Sequence, residues 1–149
     1  MMKQPPSAPG LDPERLRSTR LRVHPRCVVC NPIHPGGLGQ DFVLKPDGSV
    51  ECTFSGSGEF EGYPGLLHGG MAAALLDGAM TNCLFARGVR ALTAELTVRY
   101  REPVVAVEQT TVRARLTESR GRLHLLCAEL CQNGRVKVLA VGKFMEAHE

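Results

Sequence analysis

The fold is decided by residues 67–80, whose sequence is LHGGMAAALLDGAM. Two glycines, Gly69 and Gly70, precede a run of helix formers that is apolar on every side. A helix of this kind is buried in a protein core. It nevertheless carries one acid, Asp77, and a carboxylate buried without a partner is costly or has a raised pKa. The stretch therefore predicts a buried helix that carries a functional carboxylate.

The sequence on either side of this helix predicts a short helix and six strands. Strand segments alternate apolar and polar residues, and Asp47-Gly48 and Asn133-Gly134 are hairpin signals. Strands joined by tight turns are antiparallel, so we expect an α+β fold with the last four strands as a meander and the long helix against the curled sheet. The predicted helices cover 13–22 and 69–87, and the predicted strands cover 40–44, 49–54, 92–100, 107–116, 123–131 and 136–145. We expect Ser119-Arg120-Gly121 to turn the chain between the fourth and fifth strands.

Composition fits one ordinary globular unit of 149 residues with 43% hydrophobic and 22% charged residues. The net charge of +3 comes from the N-terminal part, so we expect no nucleic-acid partner. No apolar run approaches the roughly 20 residues that span a membrane, and the polar N-terminus predicts no signal peptide. Six cysteines without a secretory signal predict reduced thiols and a cytoplasmic location.

The glycine-rich start, the helix and the acid nine residues after His68 resemble the hotdog-fold acyl-CoA thioesterases, in particular the phenylacetyl-CoA thioesterase-like branch. The resemblance is most specific over residues 64–77 and 98–103. It implies a curled antiparallel sheet of about six strands around one central helix. It divides the chain after residue 36. Residues 1–36 would form a disordered tail, a short helix and a Cys-x-x-Cys loop, and residues 37–149 would form a thioesterase domain.

The resemblance implies hydrolysis of an acyl-CoA thioester without a cofactor other than the CoA of the substrate. Asp77 would be the nucleophile or the general base, and the Gly69 N–H would polarise the thioester carbonyl. His68 matches the family's histidine, either as a base or, as we favour, as the residue that organises the helix start. Gly70, Tyr63 and Thr93 are expected to line the substrate; Thr93 is equally compatible with an outward strand position. The sites would be shared across a homodimer, which can pair into a dimer of dimers.

Two positions depart from the family. Some relatives have an amide side chain where this chain has Gly62, and others have a glutamate where it has Gly78. Because the site has fewer polar side chains to assist catalysis, a non-catalytic module that binds or senses acyl-CoA is an alternative function. A hotdog hydratase is a second alternative, but its Asp/His arrangement has no counterpart in this sequence.

A second motif precedes the domain, in the segment HPRCVVCNPIH at residues 24–34. Cys27 and Cys30 with His24 and His34 have the residue types of a four-ligand zinc site. The prolines and glycines that follow exclude the helix that a thioredoxin-like motif requires. A single Cys-x-x-Cys is weak evidence for zinc, so we expect no metal site here and treat zinc as the alternative. The other four cysteines are expected to be core thiols.

Overall fold

The chain forms two helices and six strands over residues 11–148, the part that the structure, a computed structural model, describes. The tail expected at residues 1–10 lies outside these described residues. Neither helix is long and apolar enough to cross a membrane. The elements are α1 (Pro13–Val23), β1 (Val43–Leu44), β2 (Val50–Ser55), α2 (Gly69–Phe85), β3 (Ala91–Tyr100), β4 (Gln109–Arg120), β5 (Leu123–Gln132) and β6 (Arg135–Glu146).

The six strands form one antiparallel sheet in the order β1-β2-β4-β5-β6-β3, and α2 packs against β2 to β6. This confirms the α+β class and the hotdog architecture. The predicted four-strand meander is wrong in one respect, because β3 pairs with β6 and only β4, β5 and β6 are consecutive neighbours. The connection after β3 makes no tight turn. It bonds instead to the loop before α2, where the Leu67 N–H donates to the Val104 carbonyl (2.8 Å) and the Ala106 N–H to the Gly65 carbonyl (2.9 Å).

Local signals in the sequence locate most of the turns. Asn133 and Gly134 have φ values of 51° and 73°, as the predicted type I′ hairpin requires. Gly88 (φ 69°) follows the end of α2, where its N–H donates to the Phe85 carbonyl, as expected for a glycine past a helix end. The turn after β4 lies later than predicted, because Ser119 and Arg120 still pair with β5 and the chain reverses at residues 121–122.

Burial of α2 changes along its length. Residues 78–86 are all buried, as the apolar sequence predicts. The first half instead keeps one face accessible, which corrects the expectation that the helix is enclosed on every side. The accessible stripe contains mostly small residues spaced by three or four positions, which places them on one face. Its members are Gly70, Met71, Ala73, Ala74 and Asp77.

The N-terminal segment packs on α2. Asp12 caps α1 by accepting the Glu14 N–H (3.0 Å), as its position before Pro13 predicts. Leu16 and Val29 belong to the same hydrophobic core as α2. At Gly78, a Cβ would lie 2.6 Å from Cγ1 of Val29, so this glycine provides the space for the loop. The domain boundary predicted after residue 36 is untested and stays a prediction.

We expect Gly78→Ala to destabilise the protein by about 1–3 kcal/mol, the typical cost of an overpacked core. In the Val29→Ala background the same change should become neutral or stabilising, because alanine is favoured over glycine in a helix by about 1 kcal/mol. Urea unfolding of the four proteins in this double-mutant cycle measures the coupling. Equal destabilisation in both backgrounds would contradict the contact.

Candidate active site

His68 caps the start of α2. It has φ −59° and ψ 132°, and its Nδ1 accepts the Gly70 N–H at 2.9 Å. Because Nδ1 acts as an acceptor, the ring proton of neutral His68 is on Nε2. A Cβ at Gly70 would lie 3.0 Å from the same Nδ1, so a glycine at this position lets the ring fold over the helix start. The geometry agrees with the organising role that the sequence analysis favoured.

The Gly69 N–H is the donor left available at this helix start. The His68 N–H bonds to the Phe60 carbonyl and the Met71 and Ala72 N–H groups bond to the His68 carbonyl, whereas Gly69 finds no acceptor for its N–H within residues 11–148. Such unpaired amides, at the positive end of the helix dipole, favour an oxygen that gains negative charge.

Tyr100, at the end of β3, fixes the same turn. Its hydroxyl donates to the Gly69 carbonyl at 2.7 Å, and its ring lies 3.5 Å from where a Cβ of Gly69 would be. Sequence reasoning missed this residue, since nothing in the alternation of β3 distinguishes it from any other exposed strand tyrosine.

Asp77 is half-buried on the accessible stripe of α2 and has one specific partner. The Thr93 hydroxyl donates to Asp77 Oδ1 at 2.7 Å. The register of β3 against β6 shifts between Thr93 and Glu95, and bulges of this kind redirect side chains near functional sites. The exposed Thr93 thus contacts the candidate acid, and its expected contact with substrate stays a prediction.

Burial is the largest influence on the Asp77 carboxyl and raises its pKa. The hydrogen bond from Thr93 opposes this increase. Charge on the nearby Cys27 thiol raises the pKa further, and His24 lowers it. The result is a carboxyl that takes up a proton more readily than an exposed aspartate does, as suits a group that accepts protons in a reaction.

One protomer does not bring its own two candidate groups together. Gly69 and Asp77 are eight residues apart on a continuous helix, which separates them by about 12 Å along the axis. Reacting atoms must approach to about 3–3.5 Å. The Gly69 N–H and the Asp77 carboxyl of one protomer therefore cannot both act on the same thioester.

A cavity of about 310 Å³ opens beside the helix start. Gly69 and Tyr63 contribute to its wall, whereas Asp77, His68, Gly70 and Thr93 do not. Tyr63 is 80% exposed, so its ring is available to a bound molecule. The wall also contains Tyr100 and residues 101–104.

The two positions that depart from the family have a packing explanation. A Cβ at Gly62 would lie 3.3 Å from Cα and 3.4 Å from Cδ2 of His68, so glycine lets the loop close over the capping histidine. At Gly78 the space is taken by Val29, as described above. A side chain at Gly78 would therefore clash with Val29, and one at Gly62 would require His68 to shift by a few tenths of an ångström.

Comparison with known proteins agrees with this geometry. A family model described as the thioesterase superfamily matches residues 64–139, just over half of the chain. Acyl-coenzyme A thioesterase THEM4 from Rattus norvegicus is 30% identical over 89 residues, which cover 58% of this chain and 38% of that protein. The chain thus spans about two fifths of the length of the curated relatives it matches.

Two solved structures show the same fold. The E. coli PaaI protein from the phenylacetic acid degradation operon has a TM-score of 0.77 and 18% identity, over 91% of this chain and 96% of that one. A hypothetical thioesterase from Streptococcus pneumoniae, solved with coenzyme A, has a TM-score of 0.68 and 17% identity, over 74% and 90% of the two chains. The resemblance expected from residues 64–77 is confirmed.

We expect Asp77→Asn to increase stability at neutral pH. A raised carboxyl pKa means that the folded protein binds this proton more tightly than the unfolded chain, so stability falls as pH rises from the ordinary value of 3.8 through the raised one. Asparagine avoids this loss of stability, and its side-chain oxygen can still accept the hydrogen bond from the Thr93 hydroxyl. Thermal melts at pH 7 and pH 4 should show a stabilisation that shrinks at the lower pH; a variant less stable than wild type at pH 7 would contradict the assignment.

Replacing His68 tests whether it acts as a cap. We expect His68→Ala to cost about 0.5–2 kcal/mol, the usual penalty for losing an N-cap side chain, and His68→Asn to retain most of the stability. Urea unfolding provides both values. Equal losses in the two variants would show that the Nδ1 hydrogen bond contributes little.

Proposed function

Because the chain belongs to the thioesterase superfamily, we propose that it hydrolyses an acyl-CoA thioester to a free acid and CoA. The observation that carries the proposal is one helix that presents an unpaired N–H at Gly69 and, two turns later, a half-buried carboxyl at Asp77 held by Thr93. These are the donor and the acceptor that thioester hydrolysis needs. The relatives named as acyl-CoA thioesterases support the same substrate class.

In the proposed mechanism the thioester carbonyl oxygen accepts the Gly69 N–H, which stabilises the negative charge that develops there. The Asp77 carboxylate takes a proton from a water molecule while the water oxygen forms a bond to the carbonyl carbon. The C–S bond then breaks, and the CoA sulfur leaves with the electron pair and receives a proton. The raised pKa of Asp77 favours its role as the proton acceptor. Direct attack by the carboxylate on the carbonyl carbon is the alternative route through the same residue.

We propose that the active enzyme is a homodimer whose sites each combine Gly69 of one subunit with Asp77 of the other. The separation of about 12 Å between the two groups, from about 1.5 Å per residue, supports a second copy as the source of one of them. Two surfaces support pairing. β3 is a ten-residue strand at the sheet edge that pairs on one side only among the described strands, and the small residues on α2 allow a neighbouring helix to approach closely.

The cavity beside Gly69 is the proposed entrance for the substrate. Arg101 contributes to its wall and is exposed, so its guanidinium is available to a CoA phosphate. The guanidinium groups of two other arginines are already engaged, because Arg87 donates to the Cys83 carbonyl (2.9 Å) and Arg90 to the His148 carbonyl (2.8 Å). No cofactor beyond the CoA of the substrate takes part in the proposed reaction.

The proposed location is the cytoplasm. All six cysteines, which lie within the described residues, are free thiols. Proteins that keep unpaired thiols are typical of reducing compartments.

A panel of acyl-CoA substrates tests the function. Wild type should release free CoA from at least one aliphatic or aromatic member, and Asp77→Asn should lower kcat by roughly 100-fold or more because it removes the proton acceptor. Thiol release is followed with a chromogenic disulfide reagent. Ligand-induced stabilisation by acyl-CoA without turnover would favour the non-catalytic binding module.

Gly69→Pro tests the oxyanion donor. Proline suits the first position of a helix, and His68 already has the extended backbone that a residue before proline adopts, so the substitution removes the N–H and leaves the helix intact. We expect a loss of about 10²–10³-fold in kcat, while Gly69→Ala, which keeps the N–H, stays near wild type.

Mixing the inactive Gly69→Pro and Asp77→Asn proteins, after partial unfolding and refolding together, tests the shared site. A heterodimer of the two has one site with both native groups, so activity should return. Each variant refolded alone is the control. No recovery in a mixture proven by mass spectrometry to contain heterodimers would contradict sharing between subunits, without contradicting thioester hydrolysis itself.

A further inference from the structure

Three side chains of the N-terminal loop converge on one point next to α2. The ligating atoms of His24, Cys27 and Cys30 all lie within 4.8 Å of one another. Cys30 is 2% exposed, and the other two are half-buried. Within residues 11–148 this is the one group of three or more histidine, cysteine or acidic side chains with the spacing of a metal site. The proposed hydrolysis makes no use of it.

The loop backbone is folded around the first sulfur. The Cys27 N–H donates to the His24 carbonyl (3.4 Å), and the Asn31 N–H donates to the Cys27 carbonyl (3.0 Å). The Val29 N–H points at Cys27 Sγ (3.4 Å). An N–H directed at sulfur stabilises the thiolate, which is the form that binds a metal.

Two residues of α2 support the cluster from outside. The amide of Asn82 contacts Cys30, and Asn82 is fully buried with its Oδ1 unpaired among the described residues. The His24 ring makes an edge contact with Phe85, with centroids 5.0 Å apart. Outer contacts of this kind orient metal ligands and tune their charge.

The ligand atoms also contact one another directly, since Cys30 Sγ lies 3.8 Å from Nδ1 of His24. A divalent cation would compensate the charge of two thiolates in this half-buried place, with neutral imidazole as the third ligand.

We propose that His24, Cys27 and Cys30 form a zinc site with three protein ligands, which fastens the loop at residues 24–30 to α2. This reverses the expectation that the motif holds no metal, and it also corrects the four-ligand alternative. His34 is outside the cluster, with its Nδ1 3.0 Å from the Pro35 carbonyl oxygen. The fourth position of the tetrahedron is left to water or a small anion, as in zinc sites with three protein ligands.

The test uses the reduced full chain without an affinity tag, because tag histidines bind zinc. The protein is loaded with Zn²⁺, passed over a desalting column and analysed for bound metal, and Co²⁺ replaces Zn²⁺ for absorption spectroscopy. We expect about one equivalent of zinc. Bound Co²⁺ should show a sulfur-to-cobalt charge-transfer band and the intense visible bands of tetrahedral geometry.

Four variants assign the ligands. Cys27→Ser and His24→Asn should weaken zinc binding by at least the roughly 100-fold that loss of an outer contact alone can cost. His34→Asn and Cys131→Ser, which change residues outside the cluster, should bind as wild type does. Circular dichroism checks that each variant is folded, and the half-buried Cys27 is preferred over Cys30 because its replacement disturbs the core less.

Near-stoichiometric zinc with sulfur ligation, lost in the first two variants only, supports the site. Less than about 0.2 equivalents in folded, fully reduced wild type would overturn it. Loss of binding in His34→Asn would overturn the three-ligand assignment in favour of the four-ligand one. These readouts do not involve acyl-CoA, so they are independent of the proposed hydrolysis.

Discussion

The burial of the second half of α2 in the curled sheet is the constraint on which the rest of the structure depends. Residues 78–86 have almost no contact with solvent and pack against β2 to β6, so the helix cannot shift or rotate without opening the core. The first half of α2, which has one accessible face, continues the same helix out of this rigid core. The Gly69 N–H and the Asp77 carboxyl are thereby held in fixed directions, as a preorganised site requires. A loop of the same composition would not fix the directions of these two groups.

Local features of the sequence predicted the elements and the candidate acid, and non-local features were missed. The helical conformation of residues 72–80, the Asn133-Gly134 turn and the Asp12 cap depend on nearby residues, and all three are found as expected. The pairing of β3 with β6 depends on residues 38 to 55 positions apart, for which alternation contains no signal. The same holds for the hydrogen bond of Tyr100 to Gly69.

The two glycines at positions 62 and 78 show a different limit of sequence reasoning. Compared with relatives, each glycine indicates the loss of a polar side chain that could assist catalysis. In the structure each is a point of close approach, at which a Cβ would meet His68 or Val29. The sequence shows which side chain is absent from a position, and the structure shows how closely neighbouring atoms approach that position. The support for the site is therefore packing of loops onto α2 at these positions, in place of added polar groups.

The N-terminal loop is part of that support and is electrostatically connected to the candidate acid. Its Val29 fills the space above Gly78, one residue after Asp77. Charges on Cys27 and His24 act on the pKa of Asp77 in opposite directions, so the cluster lies within electrostatic reach of the carboxyl. In a half-buried environment such interactions are weakly screened. A change of charge at Cys27 or His24 is therefore expected to shift the pKa of Asp77, which links the loop before the sheet to the candidate acid.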